Sequence, residues 1–271
     1  MELSLSHRVT KLAVKACVGV LFLTVGALPV AAQKKSKPAQ TPDLPSQVNA
    51  LAQQLYGMHL DESGPISEQI QKLVMGHMQQ WMADRTPSAV EARRELENVF
   101  AAIRYPIFVA PRTFAEPWKG GNVIVAGYTL GWSDFDRLNI FGVFDNRDGK
   151  SRLAAVTSFT PRTDMTFEVI PSQIAEEFWF FAYGNRLGKS QLRLSAALYA
   201  FNGQGVKLLW ETRDVYDGKM RIDRDKVTIR FLKEEEYARE LAHRRKPPRY
   251  EATYLITPGG LVEIMQKEIP F

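Results

Sequence analysis

The spacing of apolar residues changes once along this chain, at Pro106, and that change limits the folds open to it. Before Pro106, apolar residues recur at steps of three and four. Val48, Leu51, Ala52 and Leu55 form one stripe, and Ile66, Ile70, Leu73, Val74, Met78, Trp81 and Met82 form another. That spacing lines one face of a helix. It predicts helices over about 46–58 and 65–84. A third opens at "TPSAVE": either Thr86 caps it with Pro87 in the first turn, or Ser88 caps it with Glu91 completing a capping box. Val90, Leu96, Val99, Phe100 and Ile103 form its apolar face, and Pro106 ends it.

From Pro106 onward the period is two, and turn residues recur regularly. Strands are expected near 106–110, 122–128, 138–144, 151–159, 164–170, 177–183, 191–201, 206–213, 219–223, 226–232, 250–257 and 260–266. In 191–201, Leu192, Leu194, Ala196, Leu198 and Ala200 alternate with Gln191, Arg193, Ser195 and Tyr199. This suits an antiparallel sheet with one buried face. "FWFFAY", Phe178 to Tyr183, is apolar on both faces and reads as a central strand. "KEEEYARELAHRR" reads as a short helix, acidic at its N-terminal end and basic at its C-terminal end as the helix dipole favours, stopped by Pro247 and Pro248. The expected fold class is α+β: a helical segment over 46–105, then a mainly antiparallel β-domain over 106–271, either sandwich-like or one curved sheet.

The β-domain repeats itself. "GYTLG" at 127–131 and "GNRLG" at 184–188 both read G-x-x-L-G, 57 positions apart, and at the same offset Ser133 matches Ser190 and Phe144 matches Phe201. Each Phe is followed by a polar turn, "DNRDG" or "NGQG", and then a strand. Two related meander units are therefore expected, about 122–176 and 179–232, with a shorter echo in "YLITPGGLVEI". In general pattern the units resemble blades of a β-propeller, but a closed propeller needs at least four blades, and only two and a fraction fit.

The N-terminus carries an address. Arg8, Lys11 and Lys15 precede an apolar run from Ala16 to Val30, and Val30-Ala31-Ala32 supplies the small residues of a cleavage site. The run is shorter than the roughly 20 residues of a bilayer-spanning helix. Residues 1–32 are expected to be a secretory signal cleaved near Ala32, which places the protein outside the cytoplasm, in a periplasm or fully secreted. The competing reading is an uncleaved anchor. Residues 33–45, "QKKSKPAQTPDLP", read as a flexible linker. The only cysteine, Cys17, lies in the signal, so the processed chain can form no disulfide, thiolate nucleophile or iron–sulfur site. No later stretch is apolar enough to cross a membrane as a helix.

Removing the signal lowers the formal charge from +5 to +3, with basic residues gathered in "QKKSK" and "HRRKPPR". Such clusters attract polyanions or anionic surfaces, or are simply solvated loops. Exposed aromatics interleaved with Arg or Lys on one face, as a nucleic-acid platform requires, are not visible.

The processed chain has three histidines, His59, His77 and His243, with no H-E-x-x-H among them. There is no G-x-S-x-G elbow. "GNRLGKS" is one residue short of a phosphate loop and precedes a strand. "FDNRDG" at 144–149 resembles a calcium loop, which makes Asp145 and Asp148 calcium candidates. However, Phe144 takes the first ligand position and Ala155 the twelfth. A plain hairpin turn is the competing reading. Paired-carboxylate hydrolysis offers Asp134, Asp136, Glu176, Glu177, Asp214 and Asp217. Trp132 in "GWSDFDRL" is a possible sugar-binding rim, and Trp118 in "EPWKGG" is expected in an exposed loop. No catalytic residue, resident metal or cofactor is expected. The leading expectation is a non-catalytic binding protein whose partner is another protein or a cell-envelope component. The alternative is a secreted hydrolase with paired carboxylates, acting on carbohydrate.

Overall fold

The computed structural model describes residues 43–271, apart from 134–136, 148, 160–164, 189 and 271. The expected signal, Cys17 and linker residues 33–42 lie outside the described residues. The last linker residues are already helix: Asp43 caps α1 (Leu44–Leu55), accepting from the Ser46 N–H at 2.9 Å, with Pro45 in the first turn. α2 spans Gly64–Met82 and α3 spans Ala89–Ala101. Of the two expected caps for α3, Ser88 is the one used. Its Oγ accepts from the Glu91 N–H at 3.2 Å, and the Glu91 carboxylate accepts from the Ser88 N–H at 2.8 Å.

Among the described residues twelve strands follow, in three antiparallel four-stranded sheets. The first holds β1 (Phe108–Trp118), β2 (Gly121–Gly131), β3 (Arg137–Arg147) and β4 (Lys150–Phe159). The second holds β5 (Thr166–Ile170), β6 (Phe178–Leu187), β7 (Leu192–Phe201) and β8 (Val206–Tyr216). The third holds β9 (Lys219–Asp223), β10 (Lys226–Phe231), β11 (Arg249–Thr257) and β12 (Gly260–Ile269), with α4 (Glu234–Ala242) inserted after β10. Within each sheet every strand pairs only with its neighbours in sequence. Among the described residues no helix is long and apolar enough to cross a membrane.

The sheets stack face to face. One face of the first sheet, with Ile124, Ala126, Tyr128, Leu130, Ile140 and Phe144, packs on Val48, Leu55, Ile70, Val74, Met78 and Leu96 of the helices. Gly142 permits the close approach of α2: a Cβ there would lie 2.9 Å from Met75 Sδ. The opposite face, with Val123, Val125, Phe141 and Val143, meets Phe178, Phe180, Tyr199 and Phe201 of the second sheet. Here Phe141 stands edge-on to Tyr199 at 5.2 Å, and Phe180 stacks on Tyr199 at 5.5 Å. The second sheet turns Trp179, Phe181, Leu194 and Leu198 toward Val227, Ile229 and Ile256 of the third. The third sheet's outer face is polar, with Glu251 paired to Arg230 at 2.8 Å and to Lys267 at 3.3 Å. Helices therefore close one end of the stack, and an ion-paired face meets water at the other.

Several expectations need correction. The anticipated unit 122–176 is divided between two sheets, because β5 pairs with β6. The "echo" at the C-terminus is half of a complete third sheet, whose period is hidden by short β9 and β10 and by the inserted α4. β7 is buried on both faces from Leu194 onward, and Ser195 is fully enclosed. Of the residues that suggested one wet face, Gln191 and Arg193 are partly exposed, whereas Ser195 and Tyr199 are buried. β1 runs on to Trp118 although it contains Pro111 and Pro117. As an edge strand it can lack N–H donors on its open side, and its register shifts between Val109 and Arg112.

Candidate functional site

The β3–β4 hairpin holds the buried charged side chain among the described residues, Asp145. Asp145 and Arg152 are cross-strand partners, and Asp145 is only 4 % exposed. A carboxylate so enclosed requires partners. Arg147 Nε donates to both its oxygens, at 2.8 and 3.0 Å, and Arg147 Nη2 makes a further bond. Arg152 Nη2 lies 3.7 Å from the same carboxylate and donates to the Gly203 carbonyl at 2.5 Å. The second sheet's β7–β8 turn is thus tied to the first sheet.

Trp118 fills the corner between them. It is buried at the end of β1, not exposed in a loop as expected. Arg147 lies over its ring at 4.9 Å and Lys119 at 4.7 Å from the centroid. Lys119 is in turn ion-paired with Glu176. Gly203 has φ +92°, and a Cβ there would lie 2.9 Å from Trp118 Cη2.

Beside this knot lies a concavity of about 610 Å³, lined by Gln79 and Ala83 at the end of α2 and by Asp145, Arg147, Lys150, Ser151 and Arg152. Gln79 Oε1 accepts the Leu153 N–H at 2.5 Å, which holds the end of α2 against β4. Lys150 is exposed and has no ion-pair partner among the described residues. The rim therefore offers chiefly the cationic N–H donors of Lys150, Arg147 and Arg152, since the buried Ser151 hydroxyl donates to Met82 Sδ at 3.7 Å. Carboxylates, phosphates and sulfates are the groups such a set recognises.

The calcium candidates separate. Asp145 is engaged by two arginines, so a cation approaching its carboxylate meets positive charge. Asp148 lies outside the described residues. Among the described residues no group of three or more His, Asp or Glu could hold a metal ion. His77 is paired with Glu95 at 2.6 Å, linking α2 to α3.

The four described hydrolase candidates have four different partners. Glu176 meets Lys119, Glu177 accepts from Trp179 Nε1 at 2.7 Å, Asp214 pairs with Arg186 at 2.6 Å, and Asp217 pairs with Arg249 at 2.6 Å. Asp134 and Asp136 lie outside the described residues. Trp132 is buried and donates to the Met58 carbonyl at 2.7 Å, fastening the first sheet to the chain after α1. It does not form a rim.

The far end of β7 carries a second charged group. Arg193 donates to Glu234 at 2.5 Å and lies over the Tyr216 ring at 5.1 Å; the hydrogen bond holds the Glu234 carboxyl below its ordinary range. Tyr237 packs on Tyr216 at 5.2 Å. Asp214 adopts φ +57° where β8 slips register against β7, and its N–H donates to Ser195 Oγ at 3.1 Å; Asp217, just after β8, adopts φ +46°. This group docks the first turn of α4 onto the second sheet.

Lys150 and Arg152 escaped the reading of the sequence. In "KSRLAAV" they look like an ordinary wet strand face, and only the register of β3 against β4 sets Arg152 opposite Asp145 and Lys150 opposite Arg147. Comparison of the sequence with protein-family models and with curated proteins finds no match.

Proposed function

We propose that this chain is an exported, non-catalytic binding protein, and that its partner is a protein or cell-envelope component presenting an acidic group to the Lys150–Arg152 concavity. The observation that carries the reading is the excess of cationic donors around one enclosed carboxylate, Asp145, which Arg147 already occupies. The exported address rests on the basic N-terminus, the apolar run to Val30 and the small residues ending at Ala32. The engagement of Glu176, Glu177, Asp214 and Asp217 with separate partners favours binding over paired-carboxylate hydrolysis.

An internal duplication is part of the same reading. Adding 57 to the numbers of β2 lands on β6, and adding it to those of β4 lands on β8. The second sheet is then a copy of the first that exchanged the helical layer for a third sheet.

The test uses two acidic probes, a polyuronate and a Glu-rich peptide, titrated calorimetrically against the processed protein. Binding that falls at least tenfold in K150E/R152E supports the reading. Turnover of a carbohydrate, abolished by changing one acidic residue, replaces it with the hydrolase. Mass spectrometry of exported protein starting at Gln33 supports the address, and retention of the N-terminal segment in a cytoplasmic protein overturns it.

A further inference from the structure

α4 is fastened by its first half only. Glu234 holds Arg193, Glu236 accepts from the Tyr250 hydroxyl at 2.6 Å, and Tyr237 packs on Tyr216. No residue of α4 is buried, and everything from Leu241 to Lys246 is exposed, Leu241 at 50 %. Two of the three acids in the first turn, Glu234 and Glu236, are thus spent on internal contacts, and the other end projects.

That projecting end is strongly cationic. Arg239 and Arg245 share a single carboxylate, Glu240, at 3.1 and 3.8 Å. Arg244, held at φ +54°, extends the cluster, with Lys246 two residues on. Pro247 and Pro248 stiffen the return to β11. An exposed leucine inside a group of basic side chains is the combination that suits an anionic bilayer. The apolar side chain enters the headgroup boundary and the cations meet lipid phosphate. A soluble polyanion satisfies the charge but gives Leu241 nothing to enter.

We propose that residues 241–246 dock the protein on an anionic lipid surface. The placement of this end has a consequence. β7 begins at Leu192, beside α4, and ends at Phe201, beside Gly203 and the Trp118 corner. Its ten residues span about 30 Å. A docked molecule therefore holds the Lys150–Arg152 concavity away from the lipid, turned toward whatever approaches from solution. The docking itself rests on residues separate from that concavity, so the two readings stand or fall independently.

The test is sedimentation of the chain from residue 33 onward with vesicles of phosphatidylcholine alone, or mixed with phosphatidylglycerol. A chain from residue 33 onward keeps every helix and strand described above. Binding to the mixed vesicles alone is expected. R244Q/R245Q/K246Q should weaken it about 100-fold, at roughly fivefold per neutralised cation. Leu241→Ser should weaken it about fivefold or more while leaving the melting temperature unchanged, and K219Q/R221Q on the third sheet should leave it intact. Absence of binding to mixed vesicles, indifference to the triple change, or tighter binding to a sulfated polysaccharide than to the vesicles each overturns the proposal.

Discussion

Arg147 places its guanidinium 4.9 Å from the centre of the Trp118 ring while its Nε bonds both oxygens of buried Asp145. One side chain thereby joins the apolar corner between two sheets to the enclosed charge beside it. Trp118→Ala is expected to cost about 3–5 kcal/mol through the cavity it leaves. Arg147→Ala costs about 3 kcal/mol, chiefly because Asp145 loses its counter-charge. The two losses should not add: a double-mutant cycle by urea denaturation should show coupling of about 0.5–1 kcal/mol. Strict additivity would mean that the ring and the guanidinium are merely neighbours.

Tyr128 offers a stabilising change. Its hydroxyl is fully buried between the helices and the first sheet and has no partner among the described residues, and burial pushes its ionisation well above the ordinary range. Its ring meets Phe100 at 5.2 Å and Phe108 at 5.5 Å edge-on, contacts that phenylalanine keeps. Tyr128→Phe is expected to raise unfolding free energy by about 1 kcal/mol. A loss of similar size, measured in the same denaturation experiment, would show that the oxygen is satisfied.

Alkaline pH should weaken the fold partly through Tyr183. Burial, and then the adjacent Glu168 carboxylate that accepts its hydroxyl at 3.1 Å, push its pKa from 10 up to about 12. The folded state thus favours the protonated phenol. That contribution is complete below pH 10 and is lost as pH rises through about 12. Because it loses the hydrogen bond to Glu168, Tyr183→Phe should be less stable than the parent at pH 8, and the deficit should shrink between pH 10 and 12 as the parent alone is destabilised by ionisation. Urea melts of both proteins across that range decide it, and a deficit independent of pH would be the contrary result.

The helices should not be separable. Removing residues 44–101 bares Ile124, Ala126, Tyr128, Leu130, Ile140 and Phe144 on one sheet face. The shortened chain is expected to aggregate or to bind hydrophobic dyes. A monodisperse monomer with near-ultraviolet circular dichroism like that of the parent β-region would show that the sheets stand alone.

Local chemistry wrote most of the secondary structure into the sequence. Apolar patterning and turn residues mark the strands from β2 onward but only the first residues of β1, and "TPSAVE" narrows the start of α3 to two caps. What the sequence hid is what depends on distant partners. Pro111 and Pro117 look like strand breakers until β1 is known to be an edge. Trp118 looks exposed until Gly203 and Arg147 close over it. β7 looks half-wet because Gln191, Arg193, Ser195 and Tyr199 alternate with apolar residues, and only sheets packed on both sides bury it. Lys150 and Arg152 acquire meaning through the register of β4 on β3, which no single strand encodes.

The layers follow one another in space in the order in which they follow one another in sequence: helices, then the first, second and third sheets. No strand awaits a partner from a later layer, so assembly can proceed vectorially as the polypeptide emerges, each completed layer serving as a template for the next. Such a chain keeps its ladder contact order low despite being mostly strand. The stage most open to misassociation is the interval after the second sheet forms and before the third arrives, when Trp179, Phe181 and Leu198 still face water.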